Sequence, residues 1–268
     1  MRKHLLPLGI TLVMIGAAAC TEGTTGAVSL AVSTTRPVGA ALASASVRIG
    51  AAPQVVTAGD STVITLGNDT IILRSIEVVL REIELKRVEA DSCDSIMDND
   101  DCEEFETGAV LATLPLGNVA TETMVAVDAP PGMYDELEFK IHKPSSSDDA
   151  AFIAAHPGFD GVSIRVSGTY STAGTRSDFV FTSDLEAEQE LEFSPPITVS
   201  EGAGTNVTLR VDVSTWFLNA GGTALVDPAS ANKGQANEGV VKDRIQASID
   251  AFRDDDHDGH DDDDPNDH

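Results

Sequence analysis

Near the C-terminal end three aspartates stand at alternate positions, Asp254, Asp256 and Asp258, and Gly259 follows at once. A further acidic run extends from Asp261 to Asp264. Alternate carboxylates on irregular backbone can turn toward one hard cation, and glycine permits the sharp turn that this convergence needs. The spacing predicts side-chain ligands at Asp254, Asp256, Asp258 and Asp262, with the carbonyl of His260 beside them. The opposing reading is a solvated acidic tail with no ligand. His257, His260 and His268 add imidazoles that suit a transition metal instead.

The D-x-D-x-D-G pattern resembles the first half of calcium loops of the EF-hand, dockerin and thrombospondin type. Pro265 occupies the twelfth position, where such loops carry a bidentate glutamate. The resemblance therefore implies weak calcium binding, in about the millimolar range of extracellular modules. A second acidic stretch, Asp94 to Glu104, contains Asp98, Asp100 and Asp101 and reads either as a cation site or as a solvated loop.

The cysteines carry the other recognisable chemistry. Arg2, Lys3 and His4 precede an apolar run from Leu5 to Ile15, then Gly16, Ala17, Ala18, Ala19 and Cys20. A basic start, a short apolar stretch and small residues before a cut describe a signal peptide, too short to span a bilayer stably. Cysteine directly after the small residues resembles the lipobox of bacterial lipoproteins. That resemblance implies a thioether-linked diacylglycerol on Cys20, cleavage before it and acylation of the new amine. Ala17 departs from the pattern, where leucine is more common. The alternative is an ordinary secretory signal cut after Ala19. Thr21 and Glu22 follow Cys20 with no aspartate between, which by the lipoprotein sorting pattern implies the outer membrane. Export would place Cys93 and Cys102 in an oxidising compartment. The spacing predicts a bridge between them, worth roughly 2–3 kcal/mol by loop closure; two thiols on a metal is the other reading.

Composition excludes several partners. The chain has 268 residues, a formal charge of −27, 41% apolar residues and 4% aromatics. A polyanion cannot release counterions from phosphates, so nucleic acid is excluded as a partner. The same charge opposes docking on an anionic membrane, so attachment to a membrane needs the covalent anchor. The chain shows no G-x-S-x-G, H-E-x-x-H, G-x-x-x-x-G-K or strand-linked G-x-G-x-x-G. His142 and His156 read as structural, and Trp216 and Phe217 as core residues closing a long strand.

Strand signals are dense. Ala27 to Val32 alternates and could form a first strand. Val63–Leu66 and Thr70–Leu73 flank Gly67-Asn68-Asp69, which suits a hairpin. Ile76 to Lys86 fits a charged helix by spacing and a strand by its β-branched residues. Strands are predicted at 110–116, 123–127, 134–142, 162–170, 178–182, 188–193 and 206–217. Several carry an apolar face opposite a polar one: Leu137, Phe139 and Ile141; Val162, Ile164 and Val166; Val207, Leu209, Val211 and Val213. That alternation predicts antiparallel sheets with one face on a core. Helices are predicted at 148–155, capped by Ser146 or Ser147, and at 240–252 with a stripe of Val241, Ile245, Ile249 and Phe252. Asp227-Pro228 is a helix-start pair. The predicted class is all-β, an antiparallel prealbumin/Ig-like β-sandwich with one or two short helices and a C-terminal helix. The predicted divisions are a signal peptide at 1–19, a tether with a possible first strand at 20–60, a sandwich at 61–252 and an acidic tail at 253–268.

Pro130-Pro131-Gly132-Met133-Tyr134, followed by Glu136-Leu137-Glu138-Phe139, resembles the Pro-Gly-x-Tyr start of a strand in prealbumin-like sandwich domains. There a corner tyrosine can satisfy backbone groups with its hydroxyl. Over residues 60 to 215 the chain resembles bacterial lipoproteins that carry such a domain without an assigned activity. The expected function is a non-catalytic cell-envelope lipoprotein that binds an envelope protein or glycan or serves a structural role. The alternatives are a calcium-dependent adhesion or carbohydrate-binding module and an envelope hydrolase that uses carboxylates.

Overall fold

A computed structural model describes residues 26–34, 52–88, 107–117, 121–256 and 258–263. Cys20, Cys93, Cys102, the 94–104 loop, His257 and residues 264–268 lie outside them, so the signal region, the predicted bridge and the second acidic stretch are not described.

The organising element is β4, Asp69–Arg87. Its β-branched residues override the helical spacing, since Ile71, Leu73, Ile76, Val78, Leu80, Ile83 and Leu85 are all buried. Two strands follow one another along each edge of this spine. On one edge β8, Ile164–Thr172, pairs with residues 70–78, and β7, Gly132–Ile141, pairs with residues 80–87. Val79 joins the two, receiving the amide of His142 and donating its own to Ser163. On the other edge lie β3, Ser61–Leu66, and β5, Val110–Thr113. The Gly67-Asn68 turn links β3 to β4 with Leu66 opposite Asp69, as the sequence predicts. Outer strands complete this sheet: β2, Gln54–Ala58, on β3; β9, Thr175–Ser183, on β8; and β10, Ala187–Val199, on β7.

The spine bends to serve both halves. Its ladder shifts between Leu73 and Ser75 and again between Arg81 and Glu84, where Glu82 takes a φ of 50°. A bulge of this kind adds local twist and curls the sheet. Gly168 on β8 meets the first shift, and a Cβ there would lie 2.1 Å from the carbonyl oxygen of Ile72, so only glycine allows the close approach. In β10 the ladder breaks between Glu192 and Ile197 at Pro195-Pro196, which have no amide to donate.

The second sheet is smaller, ordered β12, β11, β1, β6. Its strands are β1, Gly26–Thr34; β6, Thr121–Ala129; β11, Gly204–Val211; and β12, Ile249–Arg253. The first strand is therefore interior to the sheet, and Val28, Leu30, Ala31 and Val32 are buried. It runs antiparallel to β6 but parallel to β11, so among the described residues the otherwise antiparallel sandwich contains one parallel pair. The two inner faces meet in one core in which Tyr134, Leu137, Phe139 and Ile141 share space with Val28, Leu30, Val32, Val207 and Leu209. Each such fully buried side chain contributes roughly 1.5–3 kcal/mol of transfer free energy.

Four local expectations are corrected. The long C-terminal helix is two elements, helix α2 at Glu238–Gln246 and strand β12. Val241 and Ile245 are buried on the helix, whereas Ile249 belongs to the strand, because the edge of β11 offers a ladder from Val207 to Val211. Asp227-Pro228 starts a single 3-10 turn rather than an α-helix, with the Asp227 carboxylate accepting the Ala229 amide at 2.9 Å. Trp216 and Phe217 are buried but follow a 3-10 turn at 213–215, since Asp212 caps that turn and ends the strand at Val211. Helix α1, Ala150–Ala155, begins after Asp149 rather than after a serine.

Candidate functional site

The acidic loop begins where β12 ends. Asp254 still belongs to the sheet edge, donating its amide to the carbonyl of Asn206 at 3.1 Å, while the Asn206 side chain donates to the carbonyl of Asp255 at 3.0 Å. Its side chain turns inward and is fully buried. The carboxylate accepts from the Thr208 hydroxyl at 2.8 Å, the Gly259 amide at 3.1 Å and the Asp258 amide at 3.0 Å. Gly259 has a φ of 83°, which a side chain would disfavour, and this lets the loop fold back over Asp254. Asp256 accepts the Asp258 amide at 3.2 Å, and Asp258 accepts the His260 amide at 2.9 Å. One carboxylate oxygen from each of Asp254, Asp256 and Asp258 lies within 4.8 Å of the others. Oxygens at that separation suit a hard cation that takes 6–8 ligands, the rest being backbone carbonyls and water.

The remaining predicted ligands are placed differently. The Asp262 carboxylate accepts the amide of Asp255 at 2.6 Å, and its own amide donates to the Arg253 carbonyl at 3.1 Å, so it closes the loop and stands outside the triad. His260 is half-buried on the return limb. Arg253 was not foreseen. Its guanidinium grips both oxygens of Asp263, at 2.8 and 3.2 Å, and reaches Asp255 at 3.3 Å. A two-pronged pair of this geometry fixes direction as well as charge. Arginine at a strand end is too common for the sequence to mark it.

Electrostatics separates the three aspartates. Burial pushes the Asp254 carboxyl above its usual range, opposed by the Thr208 hydroxyl and the Gly259 and Asp258 amides, and repulsion from Asp258 adds to the rise. Asp256 and Asp258 are exposed. A cation that neutralises this group would offset the desolvation cost directly. Beside the loop lies a polar cleft of about 240 Å³ between Pro195, Thr198, Ser200, Gly204, Arg253 and Asp263. That is below the usual size of a small-molecule pocket.

A second constellation gathers at the opposite end of β7. His142 Nε2 lies 2.8 Å from Asp149, whose carboxylate also accepts the Ser145 amide at 3.1 Å and faces Arg81 at 3.6 Å. Burial raises the Asp149 carboxyl, but the His142 and Ser145 hydrogen bonds and the His142 and Arg81 charges outweigh it and hold the group below its usual range. This explains why Asp149 makes no side-chain cap on α1 although it stands at the cap position. His142 thus has a structural partner that the sequence did not single out. His156 ends α1 with its ring 4.7 Å from that of Phe152. Outside these groups the charged residues of β4, β7 and β10 form ladders, with Lys86 on Glu136 and Glu138 and Lys140 on Glu82 and Glu188.

Tyr134 is fully buried, and its hydroxyl donates to the carbonyl of Pro130 at 2.8 Å. That is the contact expected of a corner tyrosine after Pro-Gly-x. Among the described residues no helix is long and apolar enough to cross a membrane. No protein family, no curated protein and no solved structure matches the chain.

Proposed function

We propose that this chain is an exported lipoprotein of the bacterial cell envelope, anchored through Cys20, whose sandwich serves as a non-catalytic binding or structural module. The observation that carries the anchor is the run of small residues Gly16 to Ala19 immediately before Cys20. The ion-pair ladders on β4, β7 and β10 support a binding or structural role, because they spend the charged side chains on one another. By the sorting residues Thr21 and Glu22 the compartment is the outer membrane, and the partner is an envelope protein or glycan. Mass spectrometry of the chain isolated from bacterial membranes tests the anchor: diacylglycerol and an acylated amine on Cys20 support it, and an unmodified thiol removes it.

A second reading concerns the C-terminal loop, which we propose takes calcium. The convergence of Asp254, Asp256 and Asp258 within 4.8 Å supports it, together with the burial of Asp254. The ion would neutralise Asp254 and tie the loop to β11 through Thr208. Calorimetric titration with calcium, with and without residues 254–268, decides the matter. Heat that disappears with the loop supports the site, and identical heats in both chains end the proposal.

A further inference from the structure

Five residues, Thr21 to Thr25, separate Cys20 from Gly26, the first residue of β1. Whatever path they take, six Cα steps reach at most about 22 Å. Because β1 is an interior strand of its sheet, held to β6 from Gly26 and to β11 from Ala27, the start of β1 cannot peel away from the domain without breaking both ladders. The end of the sandwich that bears Gly26 is therefore tied close to any membrane that holds Cys20.

The residues at that end follow from the register. Gly26 is opposite Ala129, the last residue of β6, and a Cβ on it would meet Val199 and Ser200 at the end of β10. The chain turns there through Pro130-Pro131 into β7. Val88, just past β4, donates its amide to the Met133 carbonyl at 3.0 Å. Met133 is 52% and Val88 37% exposed, and they are two of the four large apolar side chains left exposed among the described residues. Lys86 and Arg87 stand beside them, while the acidic loop lies on the β12 side of the same end. The Asn68 turn lies at the far end of the 19-residue β4, whose contour is at most about 60 Å.

We infer that the Gly26 end of the sandwich, with Met133 and Val88 at its corner, is the surface that meets the phospholipid headgroups of the leaflet anchoring Cys20. The inference rests on the lipoprotein reading above. The apolar pair faces the lipid, Lys86 stays paired with Glu136 and Glu138, and the anchor rather than charge holds the acidic loop on the β12 side at the same end.

The test uses the full chain made with its own leader in a bacterial host and left in its membranes. A photoreactive benzoylphenylalanine replaces Met133, Val88 or Asn68 in separate preparations, and the lipid adduct is measured after illumination. Positions 133 and 88 are expected to give about tenfold more lipid adduct than position 68, given the short reach from Cys20. A Gly-Ser spacer inserted between Thr25 and Gly26 is expected to bring the three yields together. Equal or reversed yields in chain that fractionates with membranes overturn the orientation while leaving the anchor intact. Chain that carries no lipid on Cys20 and stays in the soluble fraction overturns the anchor, and the orientation with it.

Discussion

The hydroxyl of Thr208 donates to the buried carboxylate of Asp254 at 2.8 Å, joining the middle of β11 to the first residue of the acidic loop. Both side chains are fully buried. Thr208→Val keeps the shape and removes the donor. The variant is expected to lose about 1–3 kcal/mol, the cost of leaving a buried acceptor short of a partner. Urea unfolding should show a lower midpoint at unchanged slope, and millimolar calcium should return part of the loss if the loop takes the ion.

Asp254 also makes stability depend on pH. Burial raises its carboxyl in the folded chain, so the folded state holds a proton over a range in which the unfolded chain has released it. The contribution of this group therefore falls as pH rises from the ordinary carboxylate range through the raised value. The difference in unfolding midpoint between the parent and Asp254→Asn is expected to move against the parent over that interval. A flat difference would show that the carboxyl titrates normally.

Asp149 has the opposite sign. Its hydrogen bonds from His142 and Ser145 and the charge of Arg81 overcome burial and depress the folded value. This stability is present above the ordinary carboxylate range and is lost as pH falls through the depressed value. Asp149→Ala is expected to cost about 2 kcal/mol at neutral pH, as for a hydrogen-bonded charged group. Thermal melts of parent and variant should converge toward strongly acid solution.

Tyr134→Phe isolates the hydroxyl that reaches Pro130. The expected loss is about 1 kcal/mol. Tyr134→Ala removes a fully buried ring and should cost roughly 3–5 kcal/mol. Equal losses in the two variants would mean that the ring contributes nothing beyond its hydroxyl.

Trp216 is the chain's single tryptophan and is buried, with Nε1 donating to the Ser248 hydroxyl at 2.8 Å. Its emission is expected to be blue-shifted in the native protein and to move red on unfolding together with the far-ultraviolet circular dichroism. Ser248 also receives Asp212 through its carbonyl, at 2.9 Å, so Ser248→Ala tests only the side-chain half of this link. It should lower the midpoint by about 1 kcal/mol equivalent.

Alternation along β7, β8 and β11 was legible in the residues because period-two apolar patterning has one solution, a strand with one face on a core. Leu137, Phe139, Ile141, Ile164, Val166, Val207, Leu209 and Val211 are all buried. Val162 is the exception, being only half-buried just before β8 begins. In the C-terminal segment Val241, Ile245, Ile249 and Phe252 recur at helical spacing, yet the open edge of β11 captures the last two as strand. Spacing reports a local preference, and an available ladder overrides it.

The residues alone determined the all-β class and the Gly67-Asn68 hairpin, because each depends on side chains near one another along the chain; they offered the three alternate aspartates as a cation loop or a solvated tail without deciding between them. Tertiary structure alone decided that β1 lies in the middle of the second sheet beside β11, that Thr208 meets Asp254 across 46 residues, and that Asp149 answers His142 and Arg81. Those partners are chosen by which strands the core brings together, and loop closure over such distances leaves no trace in local spacing.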